Sequence, residues 1–103
     1  AMIMQPSIVT VKALKAAKAE LGRKKKVLPA MDLVRIQDMT EGPCAQVLHT
    51  GPYADEGPTI AKLHAFIRSK GKVMRGWHRE IYLSDARRSA PEKLRTIIRQ
   101  PFC

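Results

Sequence analysis

With 103 residues, 45% of them hydrophobic, the chain has room for one small domain with a core and not for two independently folded ones. Nineteen Lys and Arg against nine Asp and Glu give a formal net charge of +10 at pH 7, which attracts nucleic acid, anionic surfaces or acidic partners without choosing among them. No apolar run reaches the roughly 18–20 residues that span a bilayer, and the N-terminus lacks the basic-then-apolar order of a secretory signal, so no membrane association and a cytoplasmic location are expected.

Residues 1–6, Met2-Ile3-Met4-Gln5-Pro6 after the first alanine, form a short apolar run ending in proline, as a strand would. Thr10 can cap a helix over residues 10–24 whose apolar positions Val11, Leu14, Ala17 and Leu21 recur at helical spacing, with Gly22 and four basic residues closing it. Residues 32–39 alternate Val34 and Ile36 with Arg35 and Gln37, which predicts a half-buried strand, and Thr40-Glu41-Gly42-Pro43 turns the chain. The next strand, 44–50, alternates Ala45 and Val47 against Gln46 and Leu48.

Gly51-Pro52-Tyr53 breaks that strand, and Gly57-Pro58 places proline in the first turn of a helix whose apolar face is Ile60, Leu63, Phe66 and Ile67, ending at Gly71. From Trp77 to Asp85, the set Trp77, Arg79, Ile81, Leu83 alternates with His78, Glu80, Tyr82, Ser84, so the two sets lie on opposite sides of a sheet. Ser89-Ala90-Pro91-Glu92 fits a capping box opening a short helix, and residues 96–102 form a closing strand. An internal echo, Ile3-Met4-Gln5-Pro6 against Ile98-Arg99-Gln100-Pro101, suggests a repeat boundary at the start of the chain. The order predicts an α+β domain, an antiparallel sheet with helices on one face.

Glu80 is the first candidate for chemistry. If the Ile81 and Leu83 side packs under the helices, Glu80 and Tyr82 look away from the core. A carboxylate beside a tyrosine ring suits a cationic or electron-poor aromatic ligand, and a desolvated carboxylate would also serve as a general acid or base. The alternative is a solvated glutamate paired with Arg or Lys, with Tyr82 a cross-strand packing residue. Trp77, His78 and Tyr53 stand near strand ends, where aromatics rim pockets or simply pack.

His49, His64 and His78 lack metal-ligand spacing, and Cys44 and Cys103 suit neither a zinc site nor a disulfide framework. No metal or cofactor is expected, and no phosphate loop or serine-hydrolase elbow is present. A Cys44 and His49 nucleophile pair is discounted because the odd spacing puts them on opposite faces. The basic residues fall in three groups, 12–26, 68–79 and 87–99, which a nucleic-acid interface would need on one face.

The run from His49 to His64, containing Gly51-Pro52-Tyr53, resembles the strand, G-P-Y turn and helix of the GyrI-like small-molecule-binding domain family. His78-Glu80-Ile81-Tyr82-Leu83-Ser84-Asp85, read with Arg79 between the first two, and Ala90-Pro91-Glu92-Lys93-Leu94-Arg95-Thr96 are similar to the family's H-E-I-Y-L-S-D and A-P-E-K-L-K-T motifs. The resemblance implies one β-α-β-β unit of a tandem-repeat fold: 1–6 would end a missing preceding repeat and 7–103 would be a single half-repeat domain. It implies a pocket glutamate at Glu80 with Tyr82 beside it, and more weakly Tyr53, Trp77 and His78. A homodimer, or a chain carrying the missing first repeat, would complete the cavity.

Three functions follow as expectations. The resemblance implies a binding module for a cationic or amphipathic, multidrug-like aromatic ligand. The similar subfamily contains cyclopropanoid cyclopropyl hydrolases, which implies, as an alternative, ring opening of strained DNA-alkylating compounds with Glu80 as the catalytic residue. The charge suggests a nucleic-acid-associated accessory protein as a third, less favoured reading.

Overall fold

A computed structural model describes all residues 1–103. The chain divides into two compact units, 1–39 and 40–103. In the first, Thr10 accepts a hydrogen bond from the Ala13 amide and opens helix α1, Val11–Arg23. The helix closes at Lys24, two residues past Gly22, and the next residue, Lys25, takes a positive φ of 51°. None of its residues is buried. Pro29–Leu33 form a 3-10 turn.

Neither predicted strand of this unit forms. Residues 1–6 carry no strand, and 34–39 run without a pairing neighbour. Apolar alternation alone does not make a strand: its amides and carbonyls need a partner ladder, and Pro29 starts a turn just before the second run.

The second unit holds strands β1, Cys44–Thr50, β2, Arg79–Tyr82, and β3, Arg95–Pro101, with helix α2, Glu56–Ser69, between β1 and β2. All pairings are antiparallel and the order is β1-β3-β2. This is the expected α+β arrangement, with α2 on one face of the sheet. Gly51, at φ +127°, turns the chain out of β1, a conformation that side chains rarely adopt. Pro58 sits in the first turn of α2 as expected, and Gly71 at φ +67° follows its end. The capping box at Ser89 is absent. Ala90 occupies the cap position without a side-chain bond, and Pro91–Lys93 make only one 3-10 turn.

The core consists of Ala45, Leu63, Ile67 and Ile98, with Val47, Ile60, Met74 and Phe102 against it. Phe66, expected on the apolar face, is more than half exposed. The register decides which face of the sheet is covered. Val47, Ile98 and Glu80 form one cross-strand row, and His49, Thr96 and Tyr82 the next. Directly opposite residues share a face, so Glu80 and Tyr82 lie on the helix side of the sheet with Ile98.

This corrects the expected orientation of β2. Ile81 aligns with Ile97 and Leu48 on the other, uncovered face. The reason lies in where the helix sits: α2 packs mainly on β1 and β3, so β1 and β3 choose the apolar face and the short edge strand follows their pleat. No helix is long and apolar enough to cross a membrane.

The face assignment is measurable. Ile98 is fully buried, so Ile98→Ala should cost about 2–5 kcal/mol by chemical denaturation. Ile81→Ala should cost well under that, and the reverse order would put the core on the wrong face.

Candidate functional site

The 3-10 turn before α2, the first turn of α2, the inward side of β2 and the residue before it bring five side chains together. Period-two alternation puts His78, Glu80 and Tyr82 on one side, and the helix start drops Glu56 against them. The Tyr82 hydroxyl donates to Glu80 Oε2 at 2.7 Å, and His78 Nε2 lies 3.6 Å from Oε1. The Tyr53 ring, in the 3-10 turn Tyr53–Asp55, meets the Tyr82 ring edge to face, with centroids 5.4 Å apart and planes at 67°. Both rings keep open surface, Tyr53 at 40% and Tyr82 at 61% exposure. A face-open tyrosine beside a carboxylate offers π surface and negative charge to the same ligand.

Glu56 is the residue that sequence reasoning missed. It is only 5% exposed, and its Oε1 has no hydrogen-bond partner. Burial pushes its carboxyl above the usual range, and the neighbouring Glu80 carboxylate, which is also a hydrogen-bond partner, pushes it further. Glu80 moves the other way, held low first by the Tyr82 hydroxyl, with Glu56 and His78 adding to the effect against the cost of its own burial. Tyr82, donating to Glu80, is pushed up to about 12. Two neighbouring carboxyl groups repel each other when both are ionised, and their shifts run in opposite directions, Glu56 upward and Glu80 downward.

A signal for Glu56 was present in the sequence. It precedes Ile60, Leu63 and Ile67 by 4, 7 and 11 residues, on the stripe that packs inward. An acidic residue on an apolar stripe marks a buried charge.

His49 is buried as well, on the inward parity of β1. One ring nitrogen, Nε2, donates to the Pro52 carbonyl at 3.1 Å, and Nδ1 is hydrogen-bonded to the Thr59 hydroxyl at 2.8 Å. These bonds tie the G-P-Y turn to α2, holding Tyr53 and Glu56 in place. Thr96, fully buried between His49 and Tyr82 in the register, has an unpartnered hydroxyl.

Trp77 is not part of this cluster. It is 90% exposed and borders a depression of about 110 Å³ with Glu41, Arg75, Arg79 and Pro101. There the Glu41 carboxylate pairs with Arg79 at 3.0 Å and Arg99 at 2.9 Å, joining the outward side of β2 and β3. A second depression, about 250 Å³, lies over β1 and α2 between Val47, Lys62 and Phe66. The site residues Tyr53, His78, Glu80 and Tyr82 border neither.

The model of the GyrI-like small molecule binding domain matches residues 23–101. The chain belongs to this family. Among solved structures it is similar to a hydrolase from Listeria innocua at 35% identity and TM-score 0.86. It is likewise similar to an uncharacterized conserved protein from the same organism, at 41% identity and TM-score 0.80, and to a further L. innocua hydrolase at 37% and 0.79. Each match covers 96% of this chain and 50–52% of the other. The GyrI-like chain thus spans about half the length of these relatives. No curated protein matches it.

The raised Glu56 carboxyl carries a stability signature. The folded chain holds this proton more tightly than the unfolded chain, so the associated stability is complete below the ordinary carboxylate range and is lost as pH rises through the raised value. Glu56→Gln keeps the neutral state at every pH. In denaturation series, the variant should gain on the parent as pH rises from below the ordinary carboxylate range to above it; a gap that stays constant would contradict the raised Glu56 carboxyl.

Proposed function

We propose that the Glu80, Tyr82, Tyr53 and His78 cluster binds a cationic or amphipathic aromatic small molecule. The observation that carries this reading is a carboxylate kept ionised by the Tyr82 hydroxyl beside two tyrosine rings with open faces. The carboxylate supplies charge neutralisation, the rings supply stacking surface, and membership of a small-molecule-binding family agrees with both.

The site is open on its tyrosine side, and the chain spans half the length of its solved relatives. A second unit, from another copy of this chain or from a chain carrying the other half, would close the site over the ligand. Homodimers are commonly twofold, which would bring two Glu80 residues toward one cavity.

Hydrolysis is the second reading. It is favoured by two neighbouring carboxyl groups shifted in opposite directions, Glu56 up and Glu80 down, as acid–base pairs are, and by two relatives that are hydrolases. On a strained cyclopropane electrophile, water would add to the ring carbon while the departing bond takes a proton. Glu80 would polarise that water or steady the developing positive charge.

One set of titrations tests these readings. N-methylacridinium should bind, and Glu80→Gln should weaken it on the order of tenfold or more, the loss of about 1.5 kcal/mol of charge-assisted contact. Neutral acridine should be unaffected; equal loss for both would remove the role of charge. Light scattering on the same samples should show two chains per complex, and a ligand-bound monomer would contradict closure by a second copy. Ring-opened product in molar excess over protein, from a cyclopropane alkylator, would establish turnover.

A further inference from the structure

The sheet divides its charge by face. Glu80 lies on the helix side, whereas the outward rows of the three strands carry Arg79, Arg95 and Arg99 and no acidic residue. Arg79 and Arg99 stand directly opposite each other; the next outward row is the apolar Leu48, Ile97 and Ile81, and Arg95 follows one row further on. At the other end the indole of Trp77, the only tryptophan in the chain, is 90% exposed and borders the depression of about 110 Å³ between Glu41, Arg75, Arg79 and Pro101.

The guanidiniums at this end are held in place. Arg79 Nη1 donates to Glu41 Oε1 at 3.0 Å and Arg99 Nη1 to Oε2 at 2.9 Å, while Arg99 Nε donates to Gln46 Oε1 at 3.0 Å. Arg75 donates to the Glu41 carbonyl, in a position that glycine at 42 leaves open: a Cβ there would stand 2.9 Å from Arg75 Nη2. Three guanidiniums around one carboxylate leave an excess of two positive charges beside an open indole face.

We propose that this outward face binds single-stranded nucleic acid, with a base stacked on Trp77 and phosphates at Arg75, Arg79, Arg99 and Arg95. Guanidiniums match phosphate geometry through paired N–H donors, and side chains already held lose little freedom on binding. A base stacks on an indole whatever its identity, so recognition is of charge and ring rather than of sequence. A duplex keeps its base faces covered by stacking, which leaves only an unpaired strand to meet Trp77. From Trp77 to Arg95 the outward rows run about 20 Å at roughly 3.3 Å per strand residue, a length that suits several nucleotides and not one. The net charge of +10 adds long-range attraction for the polyanion. This face is separate from the Glu80 cluster, so the proposal stands or falls independently of the cation-binding reading.

Tryptophan fluorescence reads the contact without a label. Oligo(dT) and oligo(U) should quench Trp77 in the parent protein, with affinity that falls as salt rises. Followed by anisotropy of labelled oligo(dT), Trp77→Leu should weaken binding about tenfold and should leave inorganic polyphosphate, which has charge but no bases, unaffected. Arg79→Gln combined with Arg99→Gln should lower the slope of log affinity against log salt by about 1.4, and the exposed Arg95→Gln by about half of that, with circular dichroism confirming that each variant is folded. Unchanged oligonucleotide affinity in Trp77→Leu, or an equal loss for polyphosphate, would overturn the proposal. So would thymidine monophosphate or a duplex of the same length binding as tightly as oligo(dT). A shift of Trp77 emission on vesicles of anionic phospholipid, with none on either oligonucleotide, would overturn it in favour of a membrane surface.

Discussion

Two carboxyl groups held in contact at the start of α2 set the terms for the rest of the site. Helix geometry places Glu56 on the same stripe as Leu63 and Ile67, and those two residues are fixed by the core against Ile98. Glu56 therefore cannot swing out to water without unseating the helix. The sheet register fixes Glu80 as firmly, opposite Ile98. Repulsion between two ionised carboxylates in a partly dry setting exceeds what a surface pair would feel. The surrounding groups decide which of the two gives up its proton less readily. Tyr82 and His78 favour charge on Glu80, and burial favours neutrality on Glu56.

The same arrangement explains why the cluster has an open side. Core packing covers β1 and β3, while β2 stands past the main footprint of α2. Inward positions on β2 are thus relieved of the need to be apolar and can carry Glu80 and Tyr82. The His49 bonds to Pro52 and Thr59 then anchor the turn that brings Tyr53 to the Tyr82 ring. Stability and site construction are separate here: Ile98 and Ile67 hold the fold, and the edge strand holds the chemistry.

Much of this was legible from the residues. Alternation in 44–50 and 77–85, the G-P-Y turn and the proline in the first turn of the next helix gave the second unit nearly as it stands. Thr10 capped its helix as its position suggests. The failures share a cause, which is that local pattern cannot say what lies opposite. Residues 1–6 and 32–39 alternate or run apolar like strands but have no ladder to join. Ile81 and Leu83 look like a core face, yet the register with β3 turns them outward. Trp77 shares a strand segment with Glu80 but points with Arg79 to the other side. Glu56 was hidden by the opposite error: its place on an apolar stripe was readable, but its carboxylate partner is 24 positions away.

The most direct measurement is a carbon-13 titration of the glutamate side-chain carboxyls in the free protein, with Glu56 and Glu80 assigned by substitution. Glu80 should titrate below the ordinary carboxylate range and Glu56 above it, each sensing the other's step as coupled groups do. Tyr82→Phe should move Glu80 upward. Two independent titrations in the ordinary range would mean that the two carboxyl groups do not interact, and would contradict the account of the site.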